Sequence, residues 1–129
     1  MMILTIRTDK PVSEIGLYDD STQLVYETWE AHRQLAETIH TKLAKLLKYQ
    51  RKDWSDIEGI VVYEGPGSFT GLRIGVSVAN ALAYGLGIPI VATTDDWIED
   101  GIKRLLSGES DKIAVPAYGS AAHITQQKK

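Results

Sequence analysis

The chain has 129 residues, 43% of them hydrophobic and 24% charged, and carries a net charge of −3. That is enough for one domain with a real core, and the balance is too ordinary for a disordered chain. The absence of cysteine excludes disulfides, thiolate metal sites and cysteine nucleophiles, and the absence of a basic cluster before Lys128-Lys129 argues against a nucleic-acid surface carried by this chain alone.

Met1-Met2-Ile3-Leu4 opens directly into a strand pattern, without a charged region or apolar core of a leader. No stretch approaches about 18 uninterrupted apolar residues, so the expectation is a cytoplasmic protein with no membrane contact. Ile3 to Thr8, Glu14 to Tyr18 and Leu24 to Trp29 alternate as strands. Asp9-Lys10-Pro11 and Asp19-Asp20-Ser21-Thr22 are the turns of the resulting antiparallel meander. Ala31 to Gln50 carries Leu35, Ala36, Ile39, Leu43, Leu46 and Leu47 at helical spacing, which makes the first helix.

Ile60-Val61-Val62-Tyr63 reads as a short buried strand, and Gly65-Pro66-Gly67 as a turn where positive φ or close approach is wanted. Ser68 is suited to N-cap a second helix that runs to Leu86, with Gly87 ending it and Pro89 blocking continuation. Ile90-Val91-Ala92 is a further buried strand. Thr94 or Asp95 can cap a third helix through Leu106, with Trp97, Ile98, Ile102 and Leu105 on one side. Ser107 to Asp111 reads as a polar linker, Lys112 to Tyr118 as a last short strand, and Gly119 to Lys129 as a mobile tail.

Three strands followed by helix, strand, helix, strand, helix is the order of a ribonuclease-H-like subdomain of the actin, Hsp70 and sugar-kinase type. The expected fold is α/β, a mixed sheet of about five strands with three helices over residues 1–106, with 107–129 as linker, short strand and tail.

The second helix has the more informative pattern. At about 100° per residue, Arg73, Ser77, Asn80 and Tyr84 share a narrow stripe, and the rest from Gly71 to Leu86 is apolar or glycine over roughly 220°. One sheet needs about 100°, so a second surface must cover the remainder. That cover is either a neighbouring helix of the same chain or a helix from another protein. Gly71, Gly75, Ala79 and Ala83 recur every fourth residue as a smooth ridge suited to close approach.

Candidate chemistry is sparse. Free N–H groups at the start of the second helix, with Ser68, Thr70 and Arg73 nearby, can hold an anion, or the stretch is a plain turn and cap. It lacks the Lys-Ser or Lys-Thr pair of a Walker A loop, and glycines at 65, 67 and 71 miss GxGxxG by one residue. His32 and His40 are eight residues apart on a helix, too far to share one metal, and His123 lies in the tail. Ser68 has no evident base, and Asp19, Asp20, Asp95, Asp96, Glu99 and Asp100 occupy a turn and a helix start. No catalytic residue and no metal site is expected.

The run Glu64-Gly65-Pro66-Gly67-Ser68-Phe69-Thr70-Gly71-Leu72-Arg73-Ile74-Gly75 resembles the signature of the TsaB (YeaZ) family of bacterial tRNA threonylcarbamoyladenosine synthesis. Met2-Ile3-Leu4-Thr5-Ile6, His32, Asp56-Ile57-Glu58-Gly59-Ile60, Gly87-Ile88-Pro89-Ile90-Val91 and Val115-Pro116-Ala117-Tyr118 also fall where the family has similar residues, over about residues 2 to 106 and at the C-terminal end. The family has a second actin-like subdomain where this chain has a short linker, so the chain resembles a shortened member. Its relatives tend to end the first strand with Asp-Thr-Ser or Asp-Thr-Ala; this chain has Arg7-Thr8-Asp9, and Arg7 would attract phosphate but repel a metal.

The resemblance implies a non-catalytic subunit that binds the catalytic TsaD through helices. That complex, with the ATPase TsaE, modifies adenosine 37 of tRNA. The expected interface residues are Ile39, Leu43, Leu46, Ile74, Val78, Ala81 and Leu82, with Gly75 permitting close approach. Alone, the chain is expected to form a homodimer through the same helices, and contact with tRNA is expected to be indirect. No cofactor is expected on this chain alone, ATP or ADP being admitted only at a shared interface. The alternative is a small nucleotide-dependent transferase or kinase-like enzyme using the Ser68 to Arg73 anion site.

Overall fold

A computed structural model describes residues 1–31 and 34–117; His32, His123, the last residue of the predicted final strand, Tyr118, and the predicted tail Gly119 to Lys129 lie outside the described residues. The elements are β1 (Met2–Arg7), β2 (Val12–Asp19), β3 (Thr22–Glu30), α1 (Leu35–Tyr49), β4 (Gly59–Tyr63), α2 (Phe69–Leu86), β5 (Ile90–Thr93) and α3 (Trp97–Leu106), with a short 3₁₀ turn at Trp54–Asp56 before β4. They form one sheet in the order β3-β2-β1-β4-β5. The β1–β2 and β2–β3 pairs are antiparallel, joined by the two polar turns, and β1–β4 and β4–β5 are parallel through helical crossovers. This is the expected ribonuclease-H-like arrangement.

The pleat sorts the strand residues between two cores. Leu4, Ile6, Ile15, Leu17, Ile60, Val62, Ile90 and Ala92 face α1 and α2. Ile3, Tyr18, Val61, Tyr63 and Val91 face the other way, against α3 through Trp97, Ile102 and Leu105. Every residue of β4 is therefore buried, as a central parallel strand demands.

Gly87 ends α2 in the left-handed conformation at φ 68°, as the sequence predicts. Two caps differ from expectation. Ser68 stands at the N-cap of α2 but its hydroxyl makes no capping hydrogen bond. The N-cap position of α3 is Asp96, not Thr94 or Asp95, because Asp95 adopts a left-handed turn at φ 53° that delays the helix by a residue, and the Asp96 side chain makes no capping hydrogen bond.

Residues 112–117 are not a strand. Lys112 has φ 66° and Pro116 has no N–H, so a regular ladder is not available to them. Side chains complete the bonding. Asn80 clamps Ala114 from both sides, Nδ2 to the carbonyl at 2.9 Å and Oδ1 to the N–H at 2.8 Å, and Ala117 N–H donates to Glu64 O. Just before, Asp111 N–H donates to Ile90 O, the Asp111 carboxylate accepts from Ala92 N–H at 2.8 Å, and Arg104 holds that carboxylate through two guanidinium nitrogens.

Candidate partner surface on the first two helices

The glycine turn after β4 locks onto the end of β1. Gly65 has φ 121°, and a Cβ there would lie 2.1 Å from Ala117 O, so only glycine fits. Beside it, Arg7 Nε donates to Asp9 Oδ1 at 2.7 Å and Arg7 Nη2 to Oδ2 at 3.3 Å, and the guanidinium lies 3.8 Å from the centre of the Tyr63 ring. Burial works against the Arg7 charge, but the Asp9 hydrogen bonds outweigh it and leave its pKa raised. Arg7 and Asp9 thus do face one another, and both carboxylate oxygens of Asp9 are already accepting. Tyr63 OH in turn donates to Pro66 O at 2.8 Å, tying the turn to the strand that feeds it.

The three residues expected to contact an anion do not converge. Ser68 and Thr70 line a cavity of about 200 Å³ with Lys10, Ser13, Ala31 and Leu35. Lys10 there is paired to Glu14, Nζ to Oε2 at 2.8 Å. Burial pushes the Glu14 carboxyl up, but hydrogen bonds from Lys10 and Tyr26 more than reverse it, leaving the pKa lowered. Arg73, five residues past Ser68 and so about 140° around the helix, lines a different groove between α1 and α2. Of the three, Thr70 alone lines both, alongside Ile74.

The expected interface residues divide as well. Ile39, Leu43 and Leu46 are 0, 0 and 2% exposed, packed with Leu35 and Leu47 onto the sheet. They are core residues of this chain, because the side of α1 that carries Leu35, Ile39, Leu43, Leu46 and Leu47 packs into the core. Gly75 is also turned inward: a Cβ there would sit 2.0 Å from Thr8 Oγ1, so the small ridge of α2 serves close approach to β1 within the chain. Thr8 Oγ1 completes that contact by donating to Gly71 O at 2.7 Å.

What remains open is the other side of the wide apolar arc of α2. Leu72, Gly75, Val76, Ala79 and Ala83 are buried, whereas Ile74, Val78 and Leu82 are half-buried over the core and Ala81 and Tyr84 are exposed. Ile74 and Val78 reach the open groove against α1, about 380 Å³, whose other lining residues are Ala36, His40, Thr70, Arg73 and Ser77. Sequence reasoning missed Ala36 and His40 as part of this surface. Their i, i+4 spacing on α1 is the signal that could have found them.

A second opening lies at the carboxyl ends of β4 and β5, lined by Glu64, Thr93, Thr94, Asp95, Asp100, Lys103 and Arg104. Burial foremost and then Asp111 push the Glu64 carboxyl up, with Arg104 opposing. Among the described residues no three His, Cys, Asp or Glu side chains are grouped to hold a metal ion, and no helix is long and apolar enough to cross a membrane.

A family model described as TsaD, tRNA N6-adenosine threonylcarbamoyltransferase, matches residues 29–94, just over half of the chain. A tRNA N6-adenosine threonylcarbamoyltransferase from Geotalea daltonii is 36% identical over 115 residues, covering 87% of this chain and 33% of that protein. The tRNA threonylcarbamoyladenosine biosynthesis protein TsaB from Escherichia coli is 29% identical over 119 residues, covering 83% of this chain and 49% of that protein. Among solved structures, YeaZ from Pseudomonas aeruginosa superposes with a TM-score of 0.68 at 26% identity, over 73% of this chain and 44% of the other. RuvC from Thermus thermophilus, with a TM-score of 0.54 at 14% identity, shares the fold alone. The chain spans half or less of the length of these curated relatives. Both the family match and the shared fold lead to one assignment: the chain belongs to the TsaD family and within it is a TsaB (YeaZ)-type member.

Proposed function

We propose that the chain is a non-catalytic subunit in the synthesis of threonylcarbamoyladenosine at position 37 of tRNA, and that it binds and supports a TsaD-type catalytic subunit through α1 and α2. The observation that carries this reading is the uncovered part of the α2 arc, where Ile74, Val78, Ala81 and Leu82 leave apolar surface that the described residues do not fully bury. A partner helix lying along that face would cover it by ridge-and-groove packing. The Arg7–Asp9 pair supports a non-catalytic role, since the carboxylate nearest the glycine turn is held by an arginine and not presented to a ligand. A TsaE-type ATPase joins through the complex, tRNA is contacted indirectly, and ATP or ADP binds only where two subunits meet. Without its partner the chain pairs with a second copy through the same face.

The test is size-exclusion chromatography with light scattering on the chain alone and mixed with the TsaD-type protein of the same organism. A homodimer that converts to a one-to-one heterodimer is the expected result, and Val78→Asp should abolish both species while leaving the far-UV spectrum unchanged. A chain unchanged by the TsaD-type protein, or a Val78→Asp variant that still pairs, would overturn the reading.

A further inference from the structure

The groove between α1 and α2 has a charge character that the apolar argument leaves unused. It is lined by the apolar Ile74 and Val78, by Thr70 and Ser77 with their hydroxyls, and by His40 on α1 and Arg73 on α2. Among the described residues no acidic side chain lines it. Among the described residues Arg73 makes no ion pair, and its guanidinium lies 5.5 Å from the centre of the Phe69 ring, which restrains it beside the groove. In a chain of net charge −3, an acid-free groove with an unneutralised arginine is a local inversion of sign.

Complementarity selects the occupant. An arginine beside Ile74 and Val78 suits a carboxylate on an otherwise apolar or small-residue helix, since a fork of guanidinium donors matches a carboxylate while the two aliphatic side chains take methyl groups. A nucleic-acid backbone needs several cations in a row, and among the described residues the groove presents only Arg73 and His40. A second copy meeting this one groove to groove would set Arg73 against Arg73, like charge against like.

We propose that the α1–α2 groove receives a helix of the TsaD-type subunit bearing an Asp or Glu whose carboxylate sits between Arg73 and His40, and that this pair selects that subunit over a second copy of the chain. The proposal rests on the partner reading above. It adds which residues choose between the two partners.

The experiment is titration calorimetry of the full chain with the TsaD-type protein of the same organism, for wild type, Arg73→Ala, Arg73→Glu, His40→Ala and Val78→Asp, at low and high sodium chloride. Light scattering on each variant alone reports self-pairing. Arg73→Ala should weaken the heterodimer about 10-fold and Arg73→Glu at least about 100-fold, with much of the salt dependence lost and self-pairing not weakened. His40→Ala should weaken it less. Because Arg73 is exposed, the urea midpoints of its variants should match wild type. An Arg73→Glu variant that binds like wild type while Val78→Asp does not would overturn the carboxylate proposal and keep the partner reading. If wild type fails to bind, or Val78→Asp binds normally, the partner reading falls and this proposal with it.

Discussion

Gly75 gives the sharpest test of how α2 is used. If its bare face meets β1 inside the chain, a methyl group there should cost folding stability; if it meets a partner, the cost should appear only in pairing. A Cβ at Gly75 would lie 2.0 Å from Thr8 Oγ1 and 3.0 Å from Thr8 Cβ and Cγ2. Helix propensity alone would favour Gly75→Ala by about 1 kcal/mol. Overpacking at such a contact belongs at the upper end of its usual range, about 3 kcal/mol, so the net expectation is a loss of about 2 kcal/mol. Thr8→Ala alone removes the hydrogen bond to Gly71 O at 2.7 Å, a loss of about 1 kcal/mol. In the double variant the hydroxyl and methyl obstacles are gone, and the lost hydrogen bond is offset by the gained propensity, so stability should return to within about 1 kcal/mol of wild type. Additive losses would instead sum to about 3 kcal/mol. Gly71→Ala provides the contrast, because its obstacle is the Thr8 carbonyl, 2.1 Å away, which Thr8→Ala leaves in place. Urea unfolding followed by far-UV circular dichroism reads all four, and at a slope of about 1–2 kcal/mol per molar the single Gly75→Ala loss moves the midpoint by about 1–2 M. A Gly75→Ala variant that is more stable than wild type, or that Thr8→Ala fails to relieve, would refute the inward assignment.

Ile39→Ala should cost about 2–5 kcal/mol as a cavity in the sheet-facing core, while Val78→Ala should cost less than about 1 kcal/mol in the isolated chain; equal losses would contradict the division between core and surface. Arg104 hydrogen bonds, against the effect of burial, hold the Asp111 carboxyl below its ordinary 3.8. Its contribution is therefore complete above that value and lost as pH falls through the lower folded pKa. Hydrogen exchange at Ala92 N–H should accelerate in that acid window in wild type, and a wild-type profile no steeper than that of Asp111→Asn would refute it. Glu64 acts in the opposite sense: burial first, then Asp111, raise its pKa above 4.5, so its ionisation costs stability as pH rises through the raised value. Glu64→Gln should flatten that limb of a stability–pH profile, and an unchanged limb would count against its cause.

The order of elements was legible because each strand and helix carries its own period. The continuous run Ile60-Val61-Val62 and the single stripe Leu35, Ile39, Leu43, Leu46 leave little choice of element. Periodicity reports that a residue is covered and not by what, which is why Ile39, Leu43 and Leu46 read equally well as interface and as core. The same limit applied to Gly75, whose neighbour Thr8 is 67 residues away in sequence but touches it across the sheet. The clasp on β5 was illegible for another reason. Ser110 and Asp111 sit in a stretch with no period, and their partners are the main chain of Ile90 and Ala92, whose bonding capacity no side-chain pattern records. The likeness to TsaB found the family through the motif at Glu64 to Gly75, where glycine spacing fixes backbone geometry.

That clasp has a consequence for how copies of the sheet could grow. The two outer strands are β3 and β5, and the N–H groups of Ile90 and Ala92 on β5 are already received by Ser110 and Asp111 of the same chain. A sheet with both borders bare can add neighbours on either side without limit, as fibrils do. With β5 fastened shut by Arg104 and Asp111, strand-to-strand joining through β3 stops at two copies. A face of α2 can therefore stay apolar for a partner without the sheet beneath it inviting open-ended polymerisation.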